Sequence, residues 1–137
     1  MPKIYRAMKR DVESKPVIEA TAKGLGVRPG TDVDLDELGR VMLNHKGMSV
    51  VPGWRDLPFH RIPERLRTEA PSARGANDTS CFRMGEGTFA EGHLASGLEL
   101  KLDRPTHGVV VPSRLMSLEA FQSDLAATRE LWTIEEE

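Results

Sequence analysis

The sequence predicts an α+β fold in which short, mostly antiparallel strands are followed by a helix near the C-terminal end. Its 137 residues suit one domain with one hydrophobic core, so we expect residues 1–137 to form a single domain. Short apolar or alternating runs recur between glycine and proline turns, as strands of small antiparallel sheets do. A capped, helically spaced apolar pattern occurs near the C-terminus.

The N-terminal part predicts strands separated by turns. Residues 3–9 predict the first strand, and residues 41–43 and 47–51 predict two further short strands. Residues 17–23 predict a short helix inside a loop rich in glycine and proline. Residues 32–38 fit either a helical turn or an irregular edge, and the pattern does not decide between them.

Residues 52–80 predict a long ordered loop. Frequent prolines exclude a long helix and a central strand there. One helical turn is predicted over residues 64–67, with Pro63 at its start. Apolar side chains such as Trp54 and Phe59 could pin the loop to the body, and an ordered loop this long is usually functional.

The C-terminal part predicts three strands, over residues 81–84, 98–102 and 107–111. The alternation of leucine with charged residues over 98–102 is typical of a half-buried strand. The helix is predicted over residues 118–129, with Ser117 as its N-cap.

Met116 and Phe121 occupy the two positions of a hydrophobic staple around this helix start. Residues 131–134 predict a last short strand. The three final glutamates predict a frayed tail, because like charges repel and nothing apolar holds them down.

The composition predicts a soluble globular protein. Hydrophobic residues make up 39% of the chain and charged residues 29%, and no apolar run approaches the roughly 18 residues of a membrane helix. Charged residues follow the first strand at once, so no cleavable signal peptide is predicted. The single Cys81 cannot form an internal disulfide, which favours a reducing compartment or indifference to redox state, and we expect a cytoplasmic location.

Charge is unevenly distributed along the chain. Residues 1–83 carry 15 basic and 11 acidic side chains, whereas residues 84–137 carry 4 and 10. The basic excess is densest from Arg55 to Arg74, and a segment of this kind can hold a polyanion or a dinucleotide pyrophosphate. Interspersed acids and the lack of regular aromatic residues favour a solvated basic loop over dedicated nucleic-acid binding.

Common catalytic motifs are missing from the sequence. The four histidines show no metal-ligand spacing, and neither a Gly-x-Ser-x-Gly elbow nor a phosphate-binding P-loop occurs. Gly85-Glu86-Gly87 starts like a dinucleotide fingerprint, but a glycine-rich turn explains it better. No metal site is predicted.

Arg6 is the one residue of the first strand whose placement bears on function. Side chains alternate along a strand, so Arg6 shares a face with Ile4 and Met8, while Tyr5 and Ala7 point the other way. If Ile4 and Met8 face a core, the guanidinium is carried to its rim and needs an anionic partner from the protein or a ligand. If Tyr5 and Ala7 are the buried face, Arg6 points to solvent, and the pattern alone slightly favours this second arrangement.

Three dispersed segments together resemble a known family. Ile4-Tyr5-Arg6-Ala7 opens the chain, Gly47-Met48-Ser49-Val50 lies near the middle, and Thr106-His107 enters a strand that is followed by residues 112–116 and a helix. In their order, these segments resemble the small ADP-ribosyltransferase-like toxins of bacterial type VI secretion. Residues 51–97 carry no clear part of the resemblance.

The resemblance implies two small sheets around an NAD cleft, with NAD as substrate. It assigns Arg6, Ser49 and His107 to the catalytic site. Arg6 would bridge phosphate or ribose oxygens, and Ser49 would hold Arg6 or the nicotinamide ribose by a hydrogen bond. Trp54 or Phe59 would pack on the nicotinamide or cover the cleft.

Three further residues are expected to contribute to cofactor binding, namely Tyr5, Gly47 and Arg61. Many transferases of this fold end with a Glu-x-Glu pair that stabilises the ribose cation, and no such pair stands near His107. The candidates to replace it are Glu86, Glu91 and Glu99, and their spacing selects none of them.

The resemblance thus implies an NAD-binding toxin domain that acts on an intracellular protein target. Because the Glu-x-Glu pair is missing, three activities stay open: ADP-ribosyl transfer, NAD cleavage by a glycohydrolase, and nucleotide binding without turnover. The resemblance also implies delivery into another cell without a signal peptide and a cognate immunity protein, and no membrane partner is expected. Two alternatives from other classes remain. One is a non-catalytic immunity or adaptor module whose acidic C-terminal part contacts a basic partner, and the other is an RNA-linked binder that uses the segment from Arg55 to Arg74.

Overall fold

The computed structural model describes residues 1–18, 25–67, 78–95 and 97–137. In this part of the chain, seven strands form two antiparallel sheets, and one α-helix lies near the C-terminus, which agrees with the predicted α+β class. The elements are β1 (Ile4–Lys9), β2 (Met48–Val50), β3 (Thr79–Met84), β4 (Gly92–His93), β5 (Leu98–Arg104), β6 (His107–Pro112), α1 (Leu118–Ala126) and β7 (Thr133–Ile134). The helix predicted over residues 17–23 falls largely outside the described residues, as does the basic segment beyond residue 67.

The two sheets enclose the main core. The first sheet has the order β1-β3-β7 and the second the order β2-β6-β5-β4. Ile4, Phe82 and Met84 from the first sheet pack with Leu98 and Leu100 from the second, and all five are almost fully buried. Within the described ranges, no helix is long and apolar enough to span a membrane.

Both faces of β1 are covered. Ile4 is 0% exposed in the main core, while Tyr5 is 5% exposed in a second apolar cluster on the other side. Arg6 stands opposite Phe82 in the register with β3, and Phe82 belongs to the main core. Arg6 therefore lies on the core side of the sheet and is half-buried, so the solvent-facing arrangement that the pattern slightly favours is wrong. Tyr5 is buried as well, on the other side of the sheet.

The loop after β2 packs onto the outer side of β1 and β3. It contains three short 3-10 turns, Trp54–Asp56, Phe59–Arg61 and Glu64–Leu66, the last of which confirms the predicted turn. Buried side chains of this loop and of the strands beneath it form the second cluster: Tyr5, Val51, Trp54, Ile62 and Cys81.

The helix start agrees with the prediction, and its end does not. Ser117 Oγ accepts the Ala120 N–H at 3.1 Å, and Met116 and Phe121 are both buried in the main core. The helix ends at Ala126 rather than near Arg129. Thr128 causes this, because its buried hydroxyl donates to Leu125 O at 2.6 Å and accepts Trp132 Nε1 at 2.9 Å, which takes the chain out of the helix.

The strand predicted over residues 41–43 is wrong. Val41 makes a single bridge with Leu35 and donates its N–H to Met116 O at 2.8 Å, after which the chain bends away. The turn before it is closed by Asp36, whose carboxylate accepts the N–H groups of Leu38 and Arg40. Residues 32–38 therefore form an irregular edge.

The acidic tail is anchored and not frayed, contrary to the prediction. Glu135 accepts the Tyr5 hydroxyl, and Glu136 accepts Arg65 Nη2 at 2.5 Å and the Cys81 N–H at 3.2 Å. Trp54 Nε1 donates to Glu137 O at 3.2 Å. Cationic and polar partners from distant parts of the chain offset the repulsion among the three glutamates.

Candidate functional site

A cleft opens beside the point where the two sheets are joined. Tyr5 and Val51 exchange two backbone hydrogen bonds of 2.8 and 3.1 Å, although β1 and β2 belong to different sheets. The cleft has a volume of about 830 Å³, which falls in the range of roughly 300–1,000 Å³ for small-molecule sites. Polar residues that line it include Arg6, Asp32, Ser49, His60, Arg61 and His107. Four of the seven residues predicted for the site, Arg6, Ser49, Arg61 and His107, thus line a single cleft.

Arg6 is held in this cleft by backbone oxygens. Its Nη1 donates to Ser49 O at 2.9 Å and its Nη2 to Leu25 O at 3.4 Å. Gly26 makes room for the guanidinium, since a Cβ on Gly26 would lie 2.9 Å from Nη2. These contacts fix the position of the guanidinium but leave its charge without a carboxylate bonded to it among the residues described.

Burial and two charged residues of the cleft set the electrostatics of Arg6. Burial and then the nearby charge of Arg61 lower the pKa of Arg6 from its ordinary value to about 10, and Asp32 opposes the shift. Arg6 therefore stays charged at neutral pH, and a second arginine, Arg61, lines the same cleft. An anion between Arg6 and Arg61 would relieve this repulsion.

Two residues of the cleft are not singled out by the sequence patterns, namely Arg28 and Asp32. Asp32 Oδ2 accepts the Arg28 N–H at 2.9 Å and Arg28 Nε at 3.0 Å across the turn at Gly30. Burial works against ionisation of Asp32, yet the hydrogen bonds from Arg28 and the charges of Arg28 and Arg6 bring its pKa below the ordinary value. Among the described residues that line the cleft, Asp32 is the one carboxylate, and the arginine and lysine side chains are Arg6, Lys9, Arg28 and Arg61.

Ser49 and His107 complete the group of predicted catalytic residues. Ser49 is exposed on β2, and its backbone oxygen is the group that accepts Arg6. His107 begins β6, and its Nδ1 lies 2.7 Å from Asp103 Oδ1. Ser49 pairs with Val109 across the two strands, so the serine lies two residues from His107 in the register.

Three residues predicted to bind the cofactor lie elsewhere. Tyr5 and Trp54 are buried in the second cluster, and Arg55 covers the indole ring at 4.3 Å from its centroid. Gly47 is a close-packing glycine, because a Cβ there would collide with Val110 O. Phe59, the alternative aromatic, has Arg67 over its ring at 4.7 Å and does not line the cleft.

None of the three candidate glutamates lines the cleft either. Glu86 lies 3.7 Å from Arg83, Glu91 accepts the Leu102 N–H, and Glu99 lies 3.9 Å from Lys101. In the described segments, no group of three or more His, Cys, Asp or Glu residues could hold a metal ion.

No protein-family model, curated protein or solved structure matches this chain. The chemistry of the cleft therefore follows from its own residues alone.

Proposed function

We propose that the chain is an ADP-ribosyltransferase-like toxin domain that binds NAD as its substrate in the cleft around Arg6. The observation that carries this proposal is the convergence of Arg6, Ser49 and His107. These three residues lie far apart in the sequence, and the family resemblance of the segments that contain them is what assigns them to one site. All of them line one cleft.

The cationic wall of the cleft suits the pyrophosphate of NAD. Arg6 and Arg61 repel each other across it, and a pyrophosphate carries two negative charges that would sit between them. The hydrogen bonds of Arg6 to Ser49 O and Leu25 O leave part of its five-donor fork for a ligand. Binding would thus exchange repulsion between cations for charge-assisted hydrogen bonds.

We assign to Asp32, the one carboxylate among the described residues of the cleft, the role that a glutamate has in many transferases. Cleavage of the bond between nicotinamide and ribose develops positive charge on the ribose, and a fixed carboxylate stabilises such charge. Both contacts from Arg28 are made to Oδ2 of Asp32, and no contact to Oδ1 occurs in the described part of the chain. Asp32 is therefore our candidate for the group that the sequence does not supply near His107.

The alternatives receive less support from the contacts. Glu135 lies 3.3 Å from Arg83, and Glu136 contacts Arg65, so two carboxylates of the acidic C-terminal part already have cationic partners within the chain. The RNA-binding interpretation depends on arginines that the fold also uses, since Arg55 stacks on Trp54. The toxin role, delivery into another cell and a cognate immunity protein remain proposals that follow from the resemblance.

The test is NAD affinity measured by isothermal titration calorimetry. A lost charge-assisted contact is worth about 1.5–3 kcal/mol, so Arg6→Gln should weaken NAD binding roughly 10- to 100-fold. Arg40→Gln is the matched control, because Arg40 pairs with Asp36 at 2.8 Å and does not line the cleft. Equal affinities of Arg6→Gln and the wild type would refute the site, and no NAD binding by the wild type would refute the function.

A further inference from the structure

His107 and Asp103 form a hydrogen-bonded pair at the end of the β5–β6 hairpin. His107 Nδ1 and Asp103 Oδ1 lie 2.7 Å apart, and Asp103 is the only hydrogen-bond partner of the His107 ring in the part of the chain that the structure describes. The two residues are four positions apart, on either side of the turn at Pro105-Thr106. The hairpin therefore holds them together through backbone geometry rather than by long-range packing.

The chemistry of the pair fixes the form of the imidazole. Burial works against ionisation of Asp103, but the hydrogen bond and the charge of His107 outweigh it and lower the pKa of Asp103. A carboxylate can only accept, so the proton of a neutral His107 must be on Nδ1. Nε2 then carries the free lone pair of the ring. A histidine that acts as a general base accepts the proton on this unprotonated nitrogen.

The position of the pair favours water as the reacting partner. His107 lines the cleft and its side chain is 20% exposed, while the Asp103 side chain is 40% exposed. The base thus stands where the cleft meets solvent, at a place that water can reach. The other charged and titratable side chains that line the same cleft come from β1 and the loops: Arg6, Lys9, Arg28, Asp32, His60 and Arg61. On its own hairpin, the charged neighbours are Asp103 and Arg104.

We infer that Asp103 and His107 act as a dyad that activates water, which makes the chain an NAD glycohydrolase. This inference rests on the proposed NAD site and names the acceptor of its ADP-ribose. The water oxygen forms a bond with C1′ of the nicotinamide ribose, and its proton passes to His107 Nε2. The bond between C1′ and the nicotinamide nitrogen breaks, with its electron pair going to the ring, so that ADP-ribose and nicotinamide leave and the proton returns to solvent.

The first arm of the test is the kinetics of nicotinamide release. General-base catalysis is worth about 10²- to 10⁴-fold, so His107→Ala should lower kcat by that factor while its affinity for NAD changes little. Free imidazole should restore part of the rate, which it would not do for a residue with only a structural role. Asp103→Asn should lower kcat by up to about 10⁴-fold at unchanged affinity, because the imidazole loses the group that fixes its tautomer, and Asp103→Glu should recover part of the loss.

The matched control is Glu119→Gln, which removes an exposed carboxylate from the first turn of α1 outside the cleft and should leave kcat unchanged. A second arm needs no substrate. The ¹⁵N shifts of the His107 ring should show the proton on Nδ1 in the wild type and a change of tautomer population in Asp103→Asn.

The outcomes separate the two proposals. Failure of the wild type to bind NAD overturns both the site and the dyad. A wild type that binds NAD but releases no nicotinamide overturns the dyad and leaves the binding site standing. Full activity of His107→Ala, or a proton on Nε2 in the wild type, also overturns the dyad.

Discussion

Gly26 offers a way to move Arg6 without changing its charge. The glycine has a φ of +69° and faces the guanidinium, and a Cβ built on it would lie 2.9 Å from Arg6 Nη2. That separation is shorter than a real Cβ contact, so Gly26→Ala must push the guanidinium aside. The displaced group is the far end of a flexible side chain, so the clash itself costs little, and the added cost is limited to strain in the hydrogen bonds of Arg6 to Ser49 O and Leu25 O.

Gly39 is the matched control. Its φ is +76°, and no atom lies within 4 Å of the position of its Cβ. An alanine at either glycine carries the same backbone penalty, about 1–2 kcal/mol for a left-handed conformation. Gly26→Ala and Gly39→Ala should therefore lose similar free energies of unfolding in urea, within about 1 kcal/mol of each other.

NAD affinity should distinguish the two variants. A guanidinium that has moved by a few tenths of an ångström loses alignment with a bound pyrophosphate, and charge-assisted hydrogen bonds to Arg6 are worth about 1.5–3 kcal/mol in total. Gly26→Ala should then weaken binding roughly tenfold in calorimetry, whereas Gly39→Ala should bind as the wild type does. Equal NAD affinities of the two variants would show that the guanidinium of Arg6 is not a ligand group.

Two further predictions concern stability and the tail. The hydrogen bond from Arg129, followed by that from the Lys15 N–H, lowers the pKa of Asp11. The ionised carboxylate therefore stabilises the fold at pH values above its ordinary pKa near 4, and this stabilisation is lost as the pH falls through the lowered pKa. Asp11→Asn should therefore be less stable than the wild type at pH 7, and the difference should vanish near pH 2 in urea titrations. Glu136→Ala should speed the reaction of Cys81 with a disulfide reagent, because burial and then the charge of Glu136 raise the pKa of the thiol to about 12 and the tail covers it.

Glu119 provides the control for both predictions. It is an exposed carboxylate in the first turn of α1 and makes no ion pair with any residue that the structure describes. Glu119→Gln should show no stability difference that disappears in acid, and Glu119→Ala should leave the thiol rate unchanged. A pH-independent loss in Asp11→Asn would exclude the ion pair as its cause, and an unchanged thiol rate in Glu136→Ala would mean that the tail does not protect Cys81.

Short-range patterns are the part of the fold that the sequence predicts well. The N-cap at Ser117 and the staple of Met116 and Phe121 depend on residues within one helical turn, and the structure has them as predicted. The end of the helix is not predictable from local sequence, because it depends on the hydrogen bond from Trp132 Nε1 to Thr128 Oγ1. Trp132 is buried, and its burial depends on the tertiary core. The anchored tail escapes it for a similar reason, since its partners are up to 130 positions away.

For the site, the sequence identifies the residue types but not the side of the sheet to which each side chain points. Alternation leaves two orientations open for Arg6 and slightly favours the solvent-facing one, which is wrong; it fails because both faces of β1 are covered. Arg28 and Asp103 each have an oppositely charged or titratable partner four positions away across a turn. That spacing is visible in the sequence and is the signal by which both pairs could be found. The position of Trp54, in contrast, depends on the second cluster, which forms only when distant segments pack together.

The most direct measurement is a crystal structure of the chain with NAD. We expect the pyrophosphate within hydrogen-bond distance of the Arg6 guanidinium, on the side facing Arg61, and the nicotinamide ribose between Ser49 and His107. Hydrolysis in the crystal would leave ADP-ribose in the same place. Two results would contradict the proposed function. One is NAD bound outside the Arg6 cleft, and the other is no bound NAD in the crystal together with no binding in solution at saturating NAD.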